Sequence, residues 1–215
     1  MSYKLLYPYI EPYAEGVSRP MMNQILTLVL REFCEKTHAW QYTCENIPLY
    51  EGIKEYPVPV PAADSAEVAW IRYASANGHT LEPKNKRQIK VDNYDALNKT
   101  AAIPTHYTLL SDTQVEVWPT PSGDANDNVL LHLDVALKPK IGSTGLPDSE
   151  LISEYPDVLA NGVLTRLYAM PKKAWSDPGY AALYKKMYDD QLTAAISKER
   201  DGRTRAVRRV RYGGI

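Results

Sequence analysis

The stretch RPMMNQILTLVLREFCEKTHAWQYTCENIPL, residues 19–49, decides the fold, because the period of its apolar residues changes inside it. Through its first half Met22, Ile25, Leu26, Val29, Leu30 and Phe33 recur three and four apart, which lays one broad apolar stripe along a helix. Ser18 stands where an N-cap is needed, and Pro20 falls in the first turn, where its missing N–H costs nothing. The spacing predicts a helix from about Arg19 to His38. Beyond Trp40 the pattern becomes that of strands, with Trp40–Leu49 the first of them. A chain that uses both periods in separate blocks is expected to be α+β.

Working outward, short runs rich in Tyr, Val, Ile and Trp recur roughly every ten residues. Tyr56–Val60 is broken by Pro57 and Pro59 and can only be an edge strand. Strict alternation in Val68–Tyr73 would put Val68, Trp70 and Arg72 on one face and Ala69, Ile71 and Tyr73 on the other. Asn77-Gly78 signals a tight hairpin before His79–Glu82. The polar stretch Asn85–Thr100 reads as a protruding loop. His106–Leu110 and Gln114–Trp118 are joined by a short polar turn, and Val129–Leu137 places Val129, Leu131, Leu133, Val135 and Leu137 on one side. These strands suggest an antiparallel β-sandwich or small barrel. Of Trp70, Trp118, Tyr73 and Tyr107, most lie in alternating strands and are expected to pack in its core.

After a turn-rich linker, Pro139–Pro147, the helical period returns. Leu159, Val163, Leu167 and Met170 define a helix from Pro156 to Met170, which Pro171 ends. Asp177-Pro178 caps another, in which Tyr180, Leu183, Tyr184, Met187, Tyr188, Leu192, Ala195 and Ile196 form an amphipathic series. Upstream, residues 1–16 are rich in Tyr and Pro and read as extended. The expected organisation is an extended N-terminal arm over 1–17, a helix over 18–40, an inserted β-domain over 41–147, a helical hairpin over 148–201 and a basic arm over 202–215. The first helix would pack with the hairpin as one helical layer.

Sixteen Tyr against a single Phe suit half-buried surfaces, where a ring packs and its hydroxyl stays wet, and so point to subunit contacts. Two cysteines cannot staple a chain of 215 residues, so a reduced, intracellular place of assembly is expected. No signal-like leader or membrane-spanning run is evident. The net charge of −1 conceals an asymmetry: from Lys198 onward the chain carries +5, and everything before it carries −6. Such a basic arm on an acidic body implies a separate binding task.

Enzymatic chemistry finds little support. Phosphate-binding glycine loops are missing from the sequence. Cys34, His38 and Cys44, with Glu35 nearby, lack the fourth ligand and close cysteine pairing that structural zinc needs, so two buried thiols are the preferred reading. Cys34 and His38 lie one helical turn apart, but nothing nominates the orienting group of a nucleophilic pair. His79, His106 and His132 are dispersed among strands; Asp189-Asp190, Glu154 and Asp157 read as solvated helix faces. No catalytic, cofactor or metal residue is therefore nominated. The candidate binding residues are Arg203, Arg205, Arg208, Arg209, Arg211, Tyr212 and Ile215 of the arm. Arginine favours bidentate contact with carboxylate or phosphate, and the β-branched residues between suit a segment that orders on a partner; a disordered solubilising tail and a nucleic-acid tether are the alternative readings of the same residues.

Three blocks resemble phage head–tail adaptor and connector proteins of the podovirus-like kind. The first, Leu28 to Trp40, carries the "EFC-x-x-[ST]-x-x-W" ending of their first helix as Glu32-Phe33-Cys34, Thr37 and Trp40. The second is Pro104-Thr105-His106-Tyr107 followed by Val115-Glu116-Val117-Trp118-Pro119-Thr120-Pro121 and the apolar strand from Leu130; the third is Leu146-Pro147 leading into a helix pair. Their order and spacing from Arg19 to Ile196 carry the resemblance; both terminal arms fall outside these blocks. The resemblance implies a non-enzymatic ring, usually of twelve copies, under the portal in the virion neck. Such a ring is assembled in the host cytoplasm, extends the DNA channel without reading sequence, and receives a tail nozzle. An arm such as Arg203–Ile215 would reach along the portal. A different class of reading is a β-sandwich recognition module of a phage accessory that binds a receptor or glycan through exposed aromatics.

Overall fold

The computed structural model describes residues 3–60, 65–88, 99–122, 129–142 and 149–201. The long helix α2 spans Arg19–Thr37. It opens with the Met22 N–H on the Ser18 carbonyl at 3.0 Å and closes where His38 turns to φ 57° while its N–H reaches the Cys34 carbonyl at 2.9 Å. A left-handed residue just past the last turn is the usual way to satisfy a helix's final carbonyls. The described residues form two compact units, one of 30–153 and one of 3–29 with 154–201, so the division falls within α2.

The first unit is built on ten strands: β1 (Gln41–Pro48), β2 (Glu55–Pro57), β3 (Ala66–Ala76), β4 (His79–Thr80), β5 (Glu82–Pro83), β6 (Thr100–Ala101), β7 (His106–Ser111), β8 (Gln114–Trp118), β9 (Thr120–Pro121) and β10 (Leu130–Pro139). They form one sheet in the order β1-β10-β3-β4, a second in the order β2-β8-β7-β5, and a two-stranded parallel pair, β6-β9. All pairs in the two larger sheets are antiparallel except β5 with β7. Leu131, Leu133, Val135 and Leu137 of β10 meet Val115 and Val117 of β8 and Tyr107 of β7 in a common core. This is the α+β class expected, and Pro-interrupted β2 is an edge strand as its prolines require. Asn77 (φ 46°) and Gly78 (φ 79°) make the tight β3–β4 turn, a left-handed pair that Asn-Gly adopts readily.

Strand β3 departs from the simple alternation read from sequence. Its register against β10 slips between Asp134 and Val135 and again between Ala136 and Leu137. Two bulges thus insert Arg72 and Ala69 as extra residues, and each resets which way the following side chains point. Val68 and Ile71 both face the core, whereas Trp70 is 56% and Tyr73 40% exposed. Trp118 and Tyr107 are buried as expected; Trp70 and Tyr73 are not. Of the stretch Asn85–Thr100 read as a loop, residues 89–98 lie outside those described, and its first residues form a helical turn. The Asn85 N–H meets Gln88 Oε1 at 3.0 Å and the Gln88 N–H meets Asn85 Oδ1 at 2.8 Å, a reciprocal cap that opens a helical turn.

Ion pairs fasten α2 within this unit. Arg31 reaches the Pro139 carbonyl at 2.6 Å and Glu67 at 2.8 Å. Lys138, 9% exposed, lies 3.6 Å from Glu35 and 3.5 Å from Asp112. Residues 143–148 lie outside those described, and a short helix, α3 (Ser149–Glu154), follows.

In the second unit, α4 (Pro156–Tyr168) and α5 (Pro178–Asp201) pack against each other. α4 buries Leu159, Val163, Leu164 and Leu167 almost completely, and α5 contributes Tyr188, Leu192 and Ala195. Residues 3–13, expected to be extended, instead form three short helical turns: Tyr3–Leu5, α1 (Tyr7–Ile10) and Glu11–Tyr13. Pro8 and Pro12 sit at the starts of two of these, where their fixed φ favours helix entry. Leu6, Ile10 and Ala14 are buried, while the Tyr3 hydroxyl meets Thr27 Oγ1 at 2.6 Å and the Tyr7 hydroxyl donates to Asn23 Oδ1 at 2.8 Å. The tyrosines thereby tie the segment to α2. At the other end of the unit, Asp177 Oδ1 accepts from the Gly179 and Tyr180 N–H groups at 2.8 and 3.0 Å. Asp177→Ala is expected to lower stability by about 1 kcal/mol, read as a shift in urea midpoint with an unchanged slope.

Candidate assembly surfaces

Arg203, Arg205, Arg208, Arg209, Arg211, Tyr212 and Ile215 lie outside the described residues. What the structure does place is the root of their arm. In the last turns of α5, Lys198 pairs with Glu154 at 2.7 Å and stands 5.1 Å over the Tyr155 ring. The Tyr155 hydroxyl in turn donates to Glu199 at 2.7 Å. These contacts border a depression of about 270 Å3 between α4 and α5.

Exposed apolar side chains gather in two other places. Along α5, Tyr180, Leu183 and Met187 are 40–53% exposed and spaced three and four apart, a stripe that the helix hairpin leaves uncovered. Beside it the Tyr184 ring stacks on Tyr168 at 5.5 Å and meets Tyr13 edge-on at 6.4 Å. Burial, with neighbouring tyrosines, raises the Tyr168 and Tyr184 hydroxyls above their ordinary pKa, so both stay protonated at physiological pH. The hydroxyl of Tyr168 donates to the Tyr13 carbonyl.

On the first unit, Trp70 and Tyr73 stand on the outer side of β3. The His38 ring stacks on Trp70 with centroids 5.8 Å apart, and His132 meets Tyr73 edge-on at 6.4 Å. Burial and the nearby Arg72 hold His38 below the ordinary histidine pKa, which favours the neutral ring in that stack. Trp70 also borders a groove of about 410 Å3 that reaches Pro83, Gln88, Tyr107 and Leu109. Sequence periodicity missed both aromatics because the bulges that expose them leave no compositional mark.

The thiols are placed for packing. Cys34 is fully buried in α2, and burial raises its pKa. Cys44 lies in β1 with its sulfur 3.6 Å from the Pro59 carbonyl, and burial pushes its pKa up to about 11. Neither supplies a thiolate at neutral pH. Among the described residues no three His, Cys, Asp or Glu side chains are arranged to hold a metal ion, and no helix is long and apolar enough to cross a membrane.

Each of the two units thus carries exposed apolar side chains among its described residues. Comparison with known families gives the chain its place. The model described as SU10 adaptor protein matches residues 6–211, almost the whole chain. The chain belongs to the SU10 adaptor protein family. That is a phage head-to-tail adaptor family, so the chain is a structural protein of a bacteriophage. The match takes in α1 and the Glu11–Tyr13 turn before α2 and most of the basic arm, all of which the three sequence blocks had left out. Arg203 to Arg211 thus lie within the family region of this SU10-type adaptor, and Tyr212 and Ile215 beyond it. No curated protein matches the chain.

Proposed function

We propose that the chain forms a ring in the virion neck, dodecameric on the pattern of head–tail adaptors, that seats under the portal, extends the DNA channel and receives the tail nozzle. The family match over residues 6–211 is the observation that carries this reading. The Arg203–Ile215 arm is the portal-anchoring element. It brings five guanidinium groups, interleaved with Val207 and Val210, and follows α5, which ends at Asp201. Its thirteen residues fully extended span roughly 45 Å, enough to run along a neighbouring subunit. A single arm binds weakly because it must be ordered on docking; many copies on one ring then act together without any stronger single contact. The acidic body, at −6 before Lys198, suits a channel through which DNA slides without sequence-specific grip. Assembly takes place in the host cytoplasm, where both cysteines remain reduced.

Removing Arg203–Ile215 is the direct test. The truncated chain should keep its melting temperature and its helical spectrum, yet lose at least about 100-fold in docking to purified portal rings. Unchanged docking would remove the arm from the account.

A further inference from the structure

The outward side of α5 is short of charge. Tyr180, Leu183, Met187, Asp190, Ala194 and Ser197 are all exposed, and they follow one another at spacings of three, four, three, four and three. At about 3.6 residues per turn these six lie along one line, roughly opposite the buried Tyr188, Leu192 and Ala195. The side of a surface helix turned from its core ordinarily carries the charges. Here Lys185, Lys186, Asp189 and Lys198 stand beside the line, and Asp190 is the one charged residue on it. Alternating three-four spacing is the seam along which one helix packs on another.

The seam is unequal along its length, and its two halves complement each other. Tyr180, Leu183 and Met187 are large, whereas Asp190, Ala194 and Ser197 are small. A second α5 turned end for end about a point between Tyr188 and Asp189 sets Tyr180 opposite Ser197, Leu183 opposite Ala194 and Met187 opposite Asp190. Every large side chain then meets a small one, the arrangement that fills a helix contact without voids. A parallel pairing would crowd tyrosine on tyrosine at one end and leave the other hollow. Charge agrees with the reversed pairing. Lys185 pairs with Asp189 at 2.7 Å, while Lys186 and Asp190 are exposed and form no ion pair among the described residues. The same reversal brings Lys186 of each copy beside Asp190 of the other. The chain's own basic arm is a poor occupant, since five arginines would find a single carboxylate on the seam.

We propose that two copies of the free chain pair through this seam, α5 antiparallel against α5, about a two-fold axis. A surface that binds its own kind closes on itself and stops at two, so this contact is not the one that builds a ring. The strip from Tyr180 to Ser197 is about 26 Å long and one helix wide. That lies well below the roughly 1,200 Å2 buried in a stable complex, so the pair is transient and depends on concentration. It covers the apolar stripe while the chain is free and comes apart without large cost. The inference is independent of the adaptor reading.

Sedimentation velocity on the purified full-length chain, from roughly 1 to 200 µM, tests the pairing, and a monomer–dimer equilibrium with a micromolar midpoint is expected. Leu183→Glu should hold the chain monomeric across that range at an unchanged melting temperature, because Leu183 is already 51% exposed. Asp190→Lys should weaken pairing about tenfold or more, and Lys186→Asp added to it should restore most of the loss, since the exchanged charges again meet across the axis. Orientation is read by mixing a Leu183→Cys chain with an Ala194→Cys chain under mild oxidation; the native thiols are buried. The mixed disulfide should form in preference to either chain linked to itself. A chain that stays monomeric throughout would overturn the proposal. So would a dimer that Leu183→Glu leaves intact, or a Leu183→Cys chain that links chiefly to its own kind. None of these outcomes bears on docking to portal rings, which is measured separately.

Discussion

Gly162→Val should lower the stability of the chain by about 3 kcal/mol, at the upper end of what an added side chain costs in a packed core. Gly162 lies in the middle of α4, where a helix would ordinarily gain from any side chain in place of glycine. Here a Cβ would stand 2.6 Å from Cγ1 of Val29 and 2.9 Å from Cε2 of Tyr188. Both contacts are too short, and neither atom is the far end of a flexible chain. α2 on one side and α5 on the other would have to move, which a close-packed interior resists. In a chain of this size the melting temperature should fall by about 6–12 °C. Val29→Ala added to Gly162→Val should recover part of that loss, because the two residues share one space and their effects cannot be additive. An unchanged melting temperature for Gly162→Val would mean that α2, α4 and α5 do not meet at this point.

Leu133→Ala should cost about 2–5 kcal/mol, the range for removing most of a fully buried aliphatic side chain. Leu133 is 0% exposed on β10, the strand that pairs with both β1 and β3, opposite Cys44 and Ala74. Its loss leaves a cavity in the core that the two larger sheets share. Trp70→Ala provides the contrast. It removes a larger side chain from β3, but one more than half exposed, and should cost under about 1 kcal/mol. Urea midpoints at constant slope would measure both. If Trp70→Ala proved the more damaging, the facing of β3 assigned from its two bulges would be wrong.

The contrast between Leu133 and Trp70 also marks how far the sequence could be read. β10 runs without interruption through its buried face, so alternation of Leu131, Leu133, Val135 and Leu137 found the core directly. α2 declared itself by a stripe from Met22 to Phe33, about three turns long, with a cap residue before it. β3 could not be read in the same way. A bulge is a choice of hydrogen-bonding register between two strands, and it need not appear in the composition of either. The helical turns at residues 3–13 were hidden for another reason: proline and tyrosine are compatible with extended chain and with a first helical turn alike, and burial of Leu6 and Ile10 decided between them. The basic arm was legible only as a charged segment, and its residues lie outside those described. The groove that Trp70 borders was not legible, since it depends on the bulged strand β3 turning Trp70 outward.

Assembly on the portal is the claim on which the functional account turns, and native mass spectrometry addresses it most directly. The purified chain would be measured alone and then mixed with purified portal rings. The account predicts that the chain joins the portal in one fixed stoichiometry, with complexes of partial occupancy rare. A folded chain that binds no portal ring, or that binds in variable numbers with no preferred count, would contradict it.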